Sequence, residues 1–192
     1  MRLEKEYKQL IVLIDSSGGR KKDSKNGGGS AFWAAYLYDP FNKEKISKLS
    51  LELPSEKRFE IDILLQKSPI LPIRCGAVFS DKRGPNNIFY EGLIDVLQSC
   101  LYLVKKYSWN LNLIIMGDCK RVFDEIKVNQ PAPGSQSFYD TFKGIEREYT
   151  NLNSRVEYRW CQREEWKEYQ RIDRIAKDFK NKIMNTWKEE EK

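Results

Sequence analysis

The sequence Leu10-Ile11-Val12-Leu13-Ile14-Asp15 carries five apolar residues directly into an acid, and the turn-forming stretch Ser16-Ser17-Gly18-Gly19 follows it. A continuous apolar run that is bounded by turn residues is typical of a strand buried on both faces. Sites in open α/β sheets lie at strand ends and in the loops that follow them. Asp15 at the end of this predicted strand is therefore a candidate cation ligand, although an acid here can also simply begin a turn.

The composition limits the chemistry in which such an acid can take part. The chain has 192 residues, which fits one domain with a sizeable core and an insertion. It contains no histidine, so catalytic triads and zinc sites that use histidine are excluded. Its four cysteines form no C-x-x-C pair, which is typical of reduced cysteines in a cytosolic or nuclear protein. Catalysis would have to use carboxylates, hydroxyls, amines, thiols or a metal held by oxygen.

The charge and hydrophobicity of the chain point to a class of partner and a location. There are 34 Lys and Arg against 28 Asp and Glu, and the formal net charge of +6 favours a polyanionic partner such as nucleic acid. No apolar run approaches the roughly 20 residues that a membrane span requires. We therefore expect a soluble intracellular protein, cytoplasmic or nuclear, without membrane association.

Beyond the first strand, the pattern predicts an alternation of strands and helices. Residues 31–38 and 46–53 fit two strands that are linked as hairpins to the first. The apolar strand at 111–117 runs straight into Asp118 and so repeats the opening pattern. Helices are predicted at 87–106, 120–126, 137–149 and 166–187, and a last strand at 156–160.

Residues 54–85 fit this order less well. A short helix is predicted at 59–65 and a further strand at 73–79. We interpret the segment as an insertion into a single domain that spans residues 1–192 and ends in a charged tail at 188–192.

Four short segments, each with one acid, follow one another in a fixed order along the chain. They are Ile14-Asp15-Ser16-Ser17, Asn87-Ile88-Phe89-Tyr90-Glu91, Met116-Gly117-Asp118-Cys119-Lys120-Arg121-Val122 and Ile172-Asp173-Arg174-Ile175-Ala176. In this order they resemble the ribonuclease H family, and the resemblance covers most of the chain outside residues 54–85. It implies an α/β fold with a ribonuclease H-like mixed five-stranded sheet, flanking helices and an insertion before the first long helix.

The resemblance also implies two groups of site residues. The catalytic and metal-binding residues would be Asp15, Glu91, Asp118 and Asp173. The substrate contacts would be Ser16, Ser17, Asn87, Lys120 and Arg163. Two Mg²⁺ or Mn²⁺ ions roughly 4 Å apart could activate a water and stabilise the leaving oxygen of a phosphodiester. The alternative is that Glu91 and Asp173 are ordinary solvated acids of their helices, but the order of the four segments favours the ligand role.

The chain departs from the family in the loop before the final helix. Many members have a histidine there, whereas this chain has Gln162-Arg163-Glu164-Glu165, which resembles a histidine-free variant with an Arg-Glu pair. Slower turnover would follow from this difference. Four tryptophans are expected to pack in the core or at helix edges rather than stack on bases. They are Trp33, Trp160, Trp166 and Trp187.

The function implied by the resemblance is that of a ribonuclease H-type endonuclease, a hydrolase of phosphodiester bonds. The substrate that the resemblance favours is the RNA strand of an RNA:DNA hybrid. One alternative is a DNA nuclease or resolvase of the same fold. Another is a catalytically inactive nucleic-acid-binding or assembly module, for which residues 54–85 would be the docking surface for a protein partner.

Overall fold

The structure of the chain, a computed structural model, describes residues 7–18, 29–38, 74–80, 85–162 and 167–190. In chain order its elements are β1 (Tyr7–Gly18), β2 (Gly29–Tyr38), β3 (Arg74–Ser80), α1 (Pro85–Tyr107), β4 (Asn110–Gly117), α2 (Lys120–Val128), α3 (Gln136–Asn151), β5 (Arg155–Trp160) and α4 (Lys167–Glu190), with a 3-10 turn at Pro133–Ser135. This alternation of strands and helices confirms the order predicted from the sequence.

The described strands form a five-stranded mixed sheet in the order β3-β2-β1-β4-β5. β2 runs antiparallel to both β1 and β3, whereas β4 runs parallel to both β1 and β5. β1 therefore lies in the centre, with an antiparallel neighbour on one edge and a parallel neighbour on the other. Helices cover both faces of this strand, which explains its unbroken apolar run. The mixed five-stranded α/β architecture predicted from the sequence is confirmed.

The two faces of the sheet carry separate hydrophobic cores. Side chains alternate along β1, so Val12 and Ile14 pack under α1 whereas Leu13 packs under α4. α1 and α3 cover the first face with buried side chains at helical spacing, among them Phe89, Leu93, Val96, Cys100, Phe142 and Tyr149. α4 covers the second face with Tyr169, Ile172 and Ala176. The same alternation places Asp15 on the face of Leu13, toward α4.

The segment predicted as an insertion is partly integral to the sheet. Residues 74–80 fall inside the predicted insertion at 54–85, but they form β3 and pair with β2. The further strand predicted at 73–79 is thus confirmed as a sheet strand. The strand predicted at 46–53 and the short helix predicted at 59–65 lie outside the described residues. Docking of a protein partner on this segment stays a prediction.

The last helix is longer than predicted. α4 extends to Glu190, so the first residues of the charged tail predicted at 188–192 continue the helix. On the sheet side, α4 is anchored by the Ser30 hydroxyl of β2, which donates a hydrogen bond of 2.8 Å to the Ala176 carbonyl. None of the described helices is long and apolar enough to cross a membrane.

Gly92 brings α1 into close contact with the centre of the sheet. A Cβ atom at this position would lie 2.8 Å from Ile14 Cδ1 and 2.9 Å from Ala31 Cβ. Both distances are shorter than van der Waals contact, so any side chain here would push α1 away from β1 and β2. Gly144 on α3 offers a comparison, because a Cβ atom there would have no neighbour within 4 Å.

We expect Gly92→Ala to be less stable than Gly144→Ala by about 1–3 kcal/mol, the usual cost of overpacking a core. Both substitutions remove a helical glycine, which should by itself stabilise the protein by about 0.5–1 kcal/mol. Urea unfolding of the two variants and the parent protein would measure the difference. Equal stability of the two variants would contradict the close contact of α1 with the sheet.

Candidate active site

Asp15 and Asp118 lie side by side where the central parallel strands part. The parallel pairing of β1 with β4 ends at Leu13 and Met116, and each acid lies two residues beyond its strand's last pair. Neighbouring strands are about 4.8 Å apart, so the two acids start from adjacent positions. Only this edge of β1 opens, because its pairing with β2 continues to Gly18. Asp15 therefore lies within β1, which corrects the prediction that the strand ends at this acid.

Asp15 is almost completely buried, with 1% of its surface exposed, whereas Asp118 is half-buried. Burying a carboxylate is costly unless hydrogen bonds or opposite charges compensate for the lost water. One such bond comes from α4, where the Tyr169 hydroxyl lies 3.2 Å from Asp15 Oδ1. The same hydroxyl accepts a hydrogen bond of 2.9 Å from the backbone N–H of Asp118. Tyr169 thus connects both acids to the final helix.

The charges of both acids are felt at this hydroxyl. Burial is the largest cause that raises the pKa of Tyr169 far above its usual value of 10.0, and the charges of Asp15 and Asp118 raise it further. The hydroxyl is therefore protonated at every physiological pH and acts as a neutral hydrogen-bonding group. The sequence predicted a helix at 166–187 that contains Tyr169 but no role for this residue. A buried tyrosine needs a partner for its hydroxyl, and this requirement was the available signal.

Trp160 and Lys120 form the rim of the site. The indole Nε1 of Trp160 donates a hydrogen bond of 3.2 Å to the Asp118 carbonyl, and Lys120 Nζ lies 5.6 Å from the centroid of the same ring. Trp160 is 44% exposed, so it does not pack in the core; its ring lies instead at the edge of α2, beside Lys120. At the end of β5, part of the ring is open to solvent. The burial predicted for Trp33 is confirmed.

Cys119 follows Asp118, and the charges of the site affect the pKa of its thiol. Burial raises the pKa of its thiol to about 11, and the charges of Asp118 and Asp15 add to this effect. Its Sγ atom lies 3.8 Å from Asn86 Oδ1 at the start of α1. Because the thiolate is the nucleophilic form of cysteine, this residue is inert near neutral pH. The thiol is therefore not a candidate nucleophile of the site.

The other two predicted ligands lie on the helices. Asp173 is buried on α4 one turn beyond Tyr169, and its Oδ2 accepts a hydrogen bond of 2.6 Å from Lys177. Glu91 is half-buried on α1 and lines a cleft beside Ala77 and Phe79 of β3. Among the described residues, no three acids or cysteines lie close enough together to hold a metal ion. The structure thus brings Asp15 and Asp118 together but does not gather all four predicted ligands.

The donor chemistry of the acid pair nevertheless fits Mg²⁺ or Mn²⁺. Carboxylate oxygens are the ligands that these hard cations prefer. Mg²⁺ in particular is often held by only one or two carboxylates, with water and substrate phosphates as its remaining ligands. Asp15 and Asp118 would be the two carboxylates for one such ion. A second ion, which would need Glu91 or Asp173, stays a prediction.

The predicted substrate contacts have different surroundings. Ser16 and Ser17 are half-buried on β1 directly after Asp15. Asn87 binds the 3-10 turn, since its Nδ2 lies 3.2 Å from the Gly134 carbonyl and its Oδ1 accepts a bond of 2.8 Å from Ser135 Oγ. A substrate would have to compete with those bonds. Lys120 is exposed beside the acids. Three predicted residues have side chains outside the part of the chain that the structure describes; they are Arg163 and, among the tryptophans, Trp166 and Trp187.

The sheet order and the helices on its two faces define a ribonuclease H-like fold. Solved structures share it: RNase H1 from the halophilic archaeon Halobacterium salinarum is 12% identical, with 88% of this chain and 96% of that chain covered and a TM-score of 0.53. The N-terminal RNase H domain of rv2228c from Mycobacterium tuberculosis is 14% identical and has a TM-score of 0.55, with 92% of this chain and 98% of that chain covered. LC11-RNase H1 in complex with an RNA/DNA hybrid is 11% identical and has a TM-score of 0.57, with 88% of this chain and 96% of that chain covered. No protein-family model and no curated protein matches the chain.

We expect Cys119 to react with iodoacetamide at pH 8 roughly two orders of magnitude more slowly than an unperturbed cysteine, because little thiolate forms when the thiol pKa is about 11. Asp118→Asn should accelerate the reaction, since it removes one of the charges that raise this pKa. Mass spectrometry of the labelled peptides would give the rate at each cysteine. Cys100, whose thiol pKa is raised to about 12 mainly by burial, should react equally slowly in both proteins. An unchanged rate at Cys119 would contradict the charge coupling.

Proposed function

We propose that this protein is a metal-dependent nuclease that hydrolyses phosphodiester bonds, with the RNA strand of an RNA:DNA hybrid as its first substrate. The observation that carries the proposal is the pair Asp15 and Asp118, which lie at equivalent positions where β1 and β4 part in a ribonuclease H-like fold. The complex of LC11-RNase H1 with an RNA/DNA hybrid supports this choice of substrate.

Asp15 and Asp118 would hold a Mg²⁺ or Mn²⁺ ion, and Glu91 and Asp173 would complete the set for a second one. When bound, such ions supply an activated water and stabilise the leaving oxygen. The protein's part is to keep the acids in place without water around them. Tyr169 orients Asp15 through its hydroxyl, and burial of Asp15 excludes solvent from one side of the pair. Asp173 would exchange Lys177 for a cation as its partner.

The rim supplies the contacts for a polyanion. Lys120 carries an exposed positive charge beside the acids, and Trp160 offers an exposed aromatic ring whose indole N–H is fixed to the Asp118 carbonyl. Phosphate groups bind to lysines, whereas sugars and bases pack on aromatic rings. A negative interior with a positive and aromatic rim is the arrangement that a metal-dependent nuclease needs. The acids would attract the cation, and the rim would attract the phosphate backbone of the nucleic acid.

A second candidate function is that of a nucleic-acid-binding module without catalysis. The ion pair of Asp173 with Lys177 favours it, as does the lack of a group of three acids or cysteines among the residues described here. Such a module would keep the rim contacts of Lys120 and Trp160. It would not require the acids to bind a metal.

Cleavage assays on labelled hybrid, duplex RNA, duplex DNA and single strands, each with Mg²⁺, Mn²⁺ or EDTA, would test the proposal. We expect the wild-type protein to cut the RNA strand of the hybrid only when metal is present. Asp118→Asn keeps the shape and removes one charge, so it should lower cleavage by on the order of a hundredfold or more. Affinity for the hybrid in EDTA should persist, because it depends mainly on basic contacts to phosphates.

The outcomes separate the candidate functions. Cleavage of DNA but not of hybrid would replace the proposed substrate and keep the nuclease mechanism. Binding of hybrid without cleavage under any metal, with Asp118→Asn unchanged in both respects, would favour the binding module.

Lys120→Ala should weaken binding of the hybrid and reduce the slope of log affinity against log salt by about one, as expected for the loss of one phosphate contact. Lys106→Ala is a matched control. Its ammonium also lies over an aromatic ring, 5.5 Å from the centroid of Tyr102, but at the far end of α1. Fluorescence anisotropy in EDTA at several salt concentrations would measure both slopes. Equal slopes for the two variants would remove Lys120 from the substrate contacts.

A further inference from the structure

We infer that Tyr169 is a positioning residue that takes the place of a backbone hydrogen bond between β1 and β4 and thereby sets the relative placement of Asp15 and Asp118. The inference rests on the proposed function for its catalytic consequence only. Its structural basis is the set of hydrogen bonds that meet at the Tyr169 hydroxyl.

The register of β1 and β4 shows which bond is replaced. The last parallel pair is Leu13 with Met116, so one further step would pair Ile14 with Gly117. Because the bonds of a parallel ladder are slanted, the Ile14 carbonyl would then accept from the N–H one residue beyond Gly117, which is that of Asp118. In the structure the Tyr169 hydroxyl contacts both groups, at 3.0 Å from the Ile14 carbonyl and 2.9 Å from the Asp118 nitrogen. The hydroxyl is inserted into the ladder at this step.

The inserted hydroxyl also reaches the side chain of Asp15. A tyrosine hydroxyl has one proton to donate and lone pairs that accept. It accepts from the Asp118 N–H, and the acceptors within reach of its proton include the Ile14 carbonyl at 3.0 Å and Asp15 Oδ1 at 3.2 Å. One oxygen atom therefore fixes the backbone of Asp118 and lies within bonding distance of the carboxylate of Asp15.

An ordinary buried tyrosine looks different in the same protein. Tyr149 is equally buried, and its hydroxyl donates one bond of 2.6 Å to the Leu97 carbonyl within the packing of α3 on α1. That bond satisfies the hydroxyl and spans no ladder. Tyr149 thus supplies a matched control in which the same atom is removed from a comparable depth.

Removing the Tyr169 hydroxyl should move the acids. Either the ladder closes by one bond, which draws Asp118 toward β1, or the Ile14 carbonyl and the Asp118 N–H lose this bond and the strand ends shift. Gly117 leaves room around the Ile14 carbonyl, since a Cβ atom there would already lie 2.8 Å from the Ile14 oxygen. A misplacement of catalytic groups by about 1 Å can lower a rate by about a hundredfold.

The test compares Tyr169→Phe with Tyr149→Phe on labelled hybrid in Mg²⁺. We expect Tyr169→Phe to lower kcat by about 10-fold to 100-fold while KM changes by no more than about twofold, because placement of the acids is altered whereas the positive charge of Lys120 on the rim is kept. Tyr149→Phe should keep the wild-type kcat although it also loses a buried hydrogen bond. The rise in melting temperature on adding Mg²⁺ should be smaller in Tyr169→Phe than in Tyr149→Phe.

A second measurement uses the wild-type protein alone. The Asp118 amide should exchange its hydrogen slowly, as expected for an N–H that donates to a buried hydroxyl beyond the end of the ladder. Exchange at the rate of an exposed loop would overturn the inference, as would equal kcat and equal Mg²⁺-induced shifts in the two variants. If the wild-type protein cleaves nothing, the proposed nuclease function fails. The exchange rate of the Asp118 amide and the Mg²⁺-induced rise in melting temperature then decide the role of Tyr169, since neither measurement requires cleavage.

Discussion

The parting of β1 from β4 beyond Leu13 and Met116 is the constraint on which the site depends. β1 stays paired with β2 for five more residues, as far as Gly18, so the strand itself remains extended while its other edge opens. An opening of this kind exposes backbone groups in the middle of a sheet, and buried backbone groups need partners. The fold supplies one from α4, whose Tyr169 hydroxyl lies between the two strands at this point.

Around the same opening, the negatively charged acids lie inside and a positively charged lysine lies on the rim. The buried carboxylate of Asp15 and the half-buried Asp118 make the interior negative, and they help to hold Tyr169 and Cys119 in their protonated forms. Lys120 and Trp160 lie outside them, on α2 and β5. Each group is thus placed by a different element, and all of these elements meet where the parallel strands end. This arrangement explains how one site could attract both a cation and a polyanion.

Close packing of α1 supports the opening from the other face. Gly92 lets the helix lie against Ile14 and Ala31, and Gly117 leaves room for the ring of Phe89 and for the Ile14 carbonyl. Two glycines on different elements therefore serve one purpose, since both remove a side chain from the space around Ile14. β1 is fixed from above by this contact and from below by α4. A central strand held on both faces is a rigid support for a buried acid.

By itself the sequence determined most of the described elements and the positions of Asp15 and Asp118, because apolar runs and helical periodicity record burial locally. It also indicated the order of strands and helices on which the fold resemblance depends. Only the tertiary structure decided that residues 74–80 complete the sheet, that Trp160 is exposed and that Tyr169 joins the two acids. The Tyr169 hydroxyl meets Asp15 across 154 residues of chain, and no local pattern encodes such a partner. Side-chain periodicity shows that a residue is buried, whereas strand pairing and helix packing decide what it touches.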